Sequence, residues 1–234
     1  MQSTSPNLRK QLSRTCRSLI CWGILLAALP CLTGCQYLIF AGYLLGGPPS
    51  IEPDFDAETG QSFTGKGKKV AIICYAPDKV KWDFDKIDRE LSLYVSHRMT
   101  NHKIKIIDPD AVNAWIEENP DWDKPDELGE AAGADYVVFI ELEEFSLYEE
   151  NSSNLYRGRT KGMVSVYEME EGSGEIIYTK DLDSKYPIHA PVATSEKSFY
   201  DFKSLYMSRL SEEIGRLFYE HFAGDDIPDG MLND

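Results

Sequence analysis

The chain is an α/β protein: a mixed sheet of about five strands with helices packed on it, in the order β-α-β-α-α-β-β-β-α. Three observations lead there. A nearly continuous apolar run, VAIICYA (70–76), is followed by a helix-period stripe and then by alternating KIKIID (103–108), which is a βαβ pattern and implies a parallel pair. Two alternating segments, 158–170 and 175–186, flank Glu171-Gly172-Ser173-Gly174, a tight hairpin signal that implies antiparallel strands. A last apolar stripe, Phe199, Phe202, Tyr206, Leu210, Ile214, Leu217, Phe218 and Phe222, marks a long C-terminal helix.

Each element has a local cause. VAIICYA has no polar alternation, so both faces of that strand are buried. Asp83 or Asp85 can cap the next helix, which runs to about His102 with Ile87, Leu91, Val95 and Met99 on one stripe. Asp110 can cap a short helix through Trp115 and Ile116, stopped at Asn119-Pro120. Residues 121–125 are a loop. Glu127 to Ala132 form another short helix, ended by Gly133. ADYVVFIELEEFSLY (134–148) is a strand, buried at VVFI and alternating afterwards. The loop 187–194 holds Pro187 and Pro191, and Ser195 caps a helix to about Phe222. At 1.5 Å per residue, those roughly 27 residues span about 40 Å, long enough to pass the sheet and reach a partner.

The N-terminus is of a different kind. Arg9, Lys10, Arg14 and Arg17 precede the apolar core SLICWGILLAALPCL (18–32), whose last residue opens the tetrapeptide Leu32-Thr33-Gly34-Cys35. Fifteen apolar residues suit a signal-peptide core and are short for a membrane span. The LTGC tetrapeptide resembles the lipobox of bacterial lipoproteins. That resemblance implies cleavage between Gly34 and Cys35, a diacylglyceryl group on the Cys35 sulfur, and a mature chain of 200 residues. Gln36, where enteric-type lipoproteins of the inner membrane carry Asp, implies the outer membrane, facing the periplasm. An uncleaved anchor extended through YLIFAGYLL (37–45) is the alternative. Either way the four cationic residues stay on the cytoplasmic side and the domain lies outside the cytoplasm.

The expected organisation is a signal peptide (1–34), a lipidated N-terminus and linker (35–67), an α/β domain (68–222) and an acidic tail (223–234). The linker reading rests on the Gly, Pro, Ser and acid content of 46–66. Residues 52–234 carry 39 acids against 20 bases. A surface of that sign repels phosphate backbones and gives no polybasic membrane face, so nucleic acid is excluded as a partner. Once Cys35 is acylated only Cys74 remains in the mature chain, and its apolar run makes it a buried structural thiol.

The search for catalytic chemistry yields little. Gly60 to Gly67 mimics a phosphate-binding loop, but Gly67 replaces the final Ser or Thr and a strand follows where a helix is required. Asp83, Asp85 and Asp88 are negative charge at a helix start rather than a cation site. The histidines lack ligand spacing, and His189 alone sits in a loop suited to function. Glu141 and Glu143 share a strand face, with Glu144 beside them, and could do acid/base work, although a solvated sheet edge explains them as well. Tyr136, Phe139, Phe145, Tyr148, Tyr156, Tyr167, Tyr178 and Tyr186 could form a sugar-stacking surface or simply pack the core. No enzyme activity, metal or cofactor is expected.

The strand-helix-strand order, LGEAAGADYVVFIELEEF and the acid-Gly turn in YEMEEGSGEIIYTKDL are similar to envelope proteins of the curli-secretion lipoprotein group and to the amino-terminal domain of the TolB translocation protein. The resemblance spans about 68–222. It implies a non-catalytic accessory or adaptor subunit of an export or envelope-assembly machine, with protein partners or a homo-oligomer. The segment 145–157 is too short and polar for membrane-crossing hairpins, so a pore is not implied. Tyr37, Leu38, Ile39 and Phe40 near the membrane, with Tyr206 and Phe218 on the last helix, are the expected partner surface.

Overall fold

The computed structural model describes residues 49–64, 67–170 and 173–224, and Ser50 onward forms one compact unit. The main sheet has six strands. β2 (Lys69–Tyr75) lies between β3 (Lys105–Ile106) and β4 (Tyr136–Tyr148), parallel to both. β5 (Leu155–Glu170) and β6 (Ser173–Tyr186) follow antiparallel, and β7 (Val192–Ala193) pairs with β5. A separate ribbon joins β1 (Ser50–Ile51) to β8 (His221–Phe222).

Helices cover both faces, so the strand side chains divide by parity. Val70, Ile72 and Cys74 of β2 and Val138 and Ile140 of β4 pack beneath α3 (Ile87–Asn101) and α6 (Phe199–Gly215). Ala71, Ile73 and Val137 pack beneath α4 (Pro109–Glu118) and α5 (Pro125–Ala132). The unbroken apolar run of β2 follows directly from this two-sided burial. The α3 stripe is as expected: Ile87, Leu91, Val95 and Met99 are all fully buried.

The Gly-Ala-Asp-Tyr step has a physical reading. Gly133 ends α5 in the left-handed region at φ +61°, a conformation glycine adopts at little cost. Asp135 then accepts the Lys69 amide at 2.7 Å, joining the starts of β2 and β4. The Tyr136 hydroxyl reaches Gln61 and, at 3.1 Å, Glu168.

That Gln61 contact belongs to a segment expected to be a tether, and the expectation is corrected. Residues 50–64 are part of the fold: β1, then α1 (Asp54–Thr59), then Phe63. Phe55 and Phe63 are buried, their rings 4.5 Å apart, and both touch Tyr136 and Phe218. The Phe55 amide donates to the Leu217 carbonyl at 3.0 Å. Averaged composition hid two aromatics that fill a gap beside β4 and β6.

The last helix is also shorter than expected. Its cap is Ser198, which accepts the Asp201 amide and donates to the Asp201 carboxylate, and it ends at Gly215. The Tyr219 ring folds back over Gly215, leaving no room for a Cβ there (2.7 Å). The chain turns, and His221–Phe222 pair with β1. Seventeen residues span about 25 Å, so the helix does not overreach the sheet. Other starts move slightly: Lys86 precedes α3 without a side-chain cap, Asp108 rather than Asp110 caps α4, and α5 begins at Pro125. A four-residue helix, α2 (Asp78–Lys81), precedes α3.

Candidate functional site: a cleft at the open edge of β2

β3 is too short to cover β2. It pairs with Lys69 and Val70 only, and the Ile107 amide donates to the Val70 carbonyl at 2.9 Å. Asp108-Pro109 then opens α4, with the Asp108 side chain accepting the Asp110 amide at 3.0 Å. Strand residues point their main-chain groups alternately to the two neighbours. Val70 faces β3, so Ile72 and Cys74 present their N–H and C=O groups to the side where β3 has ended. Among the described residues neither finds a main-chain partner there. On the other side β4 pairs β2 up to Tyr75 and Glu141.

This half-open edge is one wall of a cavity of about 860 Å³. It lies where the chain leaves β2 for a helix on one face and leaves β3 for a helix on the other, the crevice at strand carboxyl ends where α/β sheets bind ligands. α3 contributes Asp88, Arg89 and Ser92. α4 contributes Val112, Asn113 and Ile116. Trp122, Phe139 and Tyr167 form an aromatic corner, Trp122 and Phe139 meeting edge-on at 6.3 Å.

Two features make the cleft a candidate binding site. Asn113 is 8% exposed and its Nδ2 has no partner among the described residues. A buried amide without a hydrogen bond costs about 1–3 kcal/mol, which a bound acceptor would recover. The lining is also negative: five carboxylates (Asp85, Asp88, Glu117, Asp123, Glu141) against Lys81, Lys86 and Arg89. Lys81 is held by Asp88 at 2.6 Å, and Arg89 by Glu117 at 3.2 Å. No histidine lines the cleft among the described residues. Burial pushes the Cys74 thiol up, with Asp88 adding to the shift, so it is held as a thiol rather than a nucleophilic thiolate.

The residues singled out in the sequence fall elsewhere. Gly34, Cys35 and Tyr37 to Phe40 lie outside the described residues. Tyr206 and Phe218 are both fully buried, so neither is a partner surface. The Tyr206 hydroxyl donates to Thr160 at 2.8 Å, and the Phe218 ring packs against Phe63 at 5.3 Å. Their stripe faces the protein's own sheet.

Glu141 and Glu143 do not form a pair on one face. A bulge inserts Glu143 between Leu142, which pairs with Gly162, and Glu144, which pairs with Lys161. Glu141 lines the cleft, whereas Glu143 and Glu144 line a second depression with Glu149 and Arg159. His189 is exposed, and its carbonyl accepts from Arg157. His97 is exposed on α3, and His102 stacks on Tyr219 at 3.5 Å. Of the eight aromatics considered for sugar stacking, Tyr148 alone is exposed, at 37%.

Sequence reasoning missed Asn113 and the edge of β2. The signal was present: seven strand residues in 69–75 face a four-residue alternation that Asp108-Pro109 terminates.

No protein-family model and no curated protein matches the chain. Solved structures similar to it include a PelC dodecamer from Paraburkholderia phytofirmans, at 11% identity and TM-score 0.38, covering 73% of this chain and 98% of that one. Another is a hypothetical protein from Chlamydia trachomatis, at 19% identity and TM-score 0.39, covering 63% and 93%. A third is lipoprotein GNA1162 from Neisseria meningitidis, at 9% identity and TM-score 0.35, covering 63% and 98%.

Proposed function

We propose that this chain is a lipid-anchored protein of the bacterial cell envelope, held on the outer membrane facing the periplasm, that acts by binding as an accessory or adaptor subunit in export or envelope assembly. The observation that carries the reading is Leu32-Thr33-Gly34-Cys35 at the end of a fifteen-residue apolar core. Several acyl chains, each CH₂ contributing about 0.8 kcal/mol, would hold the protein on a membrane without a spanning helix. The β2 cleft supports binding rather than chemistry: it offers strand-edge groups, a buried amide and an aromatic corner.

The test is purification of the full-length protein from gently solubilised membranes, with Cys35→Ala as control. Stoichiometric envelope proteins, or a defined homo-oligomer, that depend on Cys35 support the reading. A clean monomer without partners contradicts it.

A further inference from the structure

We infer that the cleft beside β2 takes up a short basic segment of a partner protein as an added β-strand, hydrogen-bonded to Ile72 and Cys74 and held by the Asn113 amide. This rests on the binding reading above and names the chemistry of the partner.

The geometry prescribes a strand. Ile72 and Cys74 offer two donors and two acceptors in a row along the uncovered edge, the pattern that a neighbouring strand satisfies. An added segment would continue the β3 position past Ile106, where the protein's own chain turns away into α4. Asn113 projects into the same space with an unpaired donor, suited to a carbonyl of the incoming segment.

Side chains of an added strand alternate between two faces. On the α4 side they meet Val112, Ile116, Trp122 and Phe139, which favours an apolar residue. The carboxylate excess lies on that same side, where Glu141 follows Phe139 on one strand face and Asp123 follows Trp122; neither of these, nor Asp85 on the α3 side, has an ion-pair partner among the described residues. Charge complementarity therefore selects a segment that carries both basic and apolar residues. It also disfavours the other candidate occupants. A second copy would bring an acidic surface, and residues 36–49 of the chain itself contain no Lys or Arg.

The experiment uses full-length protein in nonionic detergent and a fluorescein-labelled hexapeptide of alternating Lys and Val. Two derivatives carry N-methyl groups on one or the other alternate set of backbone amides, so that each loses its donors along a single edge. A further control replaces every Lys by Glu. The expected result is saturable binding of the parent peptide. One N-methyl set should weaken it about tenfold or more, the other should leave it unchanged, and the acidic peptide should not saturate. Asn113→Leu should weaken the parent peptide about tenfold at a melting temperature no lower than that of the unaltered chain. The peptide derivatives decide the matter even if that variant unfolds.

Equal binding by both N-methyl sets, or no saturation at millimolar peptide, would overturn the inference. A homodimer that the peptide dissociates would also overturn it, giving the cleft to a second copy. If the peptides fail while anchored protein still purifies with partners, the strand-addition site falls and the adaptor reading stands.

Discussion

Phe55→Ala tests whether residues 50–64 belong to the folded domain. Phe55 is fully buried, with ring neighbours Phe63 at 4.5 Å, Tyr178 at 5.6 Å, Phe218 at 5.8 Å and Tyr136 at 6.4 Å. Removing the ring returns about 150–200 Å² of apolar burial, or about 4–5 kcal/mol at roughly 25 cal/mol per Å². Large-to-small changes in cores cost about 3–5 kcal/mol for this residue type, because the cavity closes only in part. With a urea slope of about 3 kcal/mol per M for a domain of this size, the unfolding midpoint should fall by about 1–1.7 M. The assay is urea unfolding of the full-length chain in nonionic detergent, followed by far-UV circular dichroism and tryptophan fluorescence. Glu58→Ala, an exposed change on the same helix, should cost less than about 0.5 kcal/mol. A Phe55→Ala midpoint shift below about 0.3 M at unchanged slope would refute the reasoning and return the segment to a tether.

Three further outcomes follow from other contacts. Gly162→Ala should cost about 2–3 kcal/mol by thermal or urea unfolding, because a Cβ there would lie 2.1 Å from the Glu141 carbonyl oxygen and the β4–β5 backbone would have to move. Tyr206→Phe should cost about 1–2 kcal/mol in the same assay, because it removes the donor to fully buried Thr160 and to the Ser184 carbonyl at 3.3 Å. The Lys69 amide, with Lys68 beside it, holds the Asp135 carboxyl below the usual carboxylate range. Its contribution is therefore complete above the unfolded value of about 3.9 and is lost as pH falls through the lower folded value. Unfolding midpoints measured between about pH 5 and pH 2 should fall less steeply in Asp135→Asn than in the unaltered chain.

What could be read from the sequence depended on how each residue is buried. β2 was legible because burial on both faces writes itself as a continuous apolar run. α3 was legible because four buried residues recur every fourth position. The β5–β6 hairpin was legible from its acid-Gly turn; Glu170 pairs with Ser173, leaving two residues between the strands. Phe55 and Phe63 were not, because two isolated aromatics among Pro, Gly and acids carry no period. The stripe through Tyr206 and Phe218 marked a buried face correctly, but periodicity does not distinguish a protein's own sheet from a partner's surface. The bulge at Glu143 broke the alternation that had put Glu141 and Glu143 on one side. The β2 cleft comes from a mismatch in length between two strands distant in sequence, and Asn113 gains its meaning only from that mismatch.

The most direct test of the account is the intact mass of the chain extracted from bacterial membranes. The expected result is a polypeptide beginning at Cys35 and carrying diacylglyceryl and acyl mass, with Cys35→Ala remaining unacylated and uncut. A membrane-bound chain that keeps residues 1–34 and carries no acyl mass would contradict it.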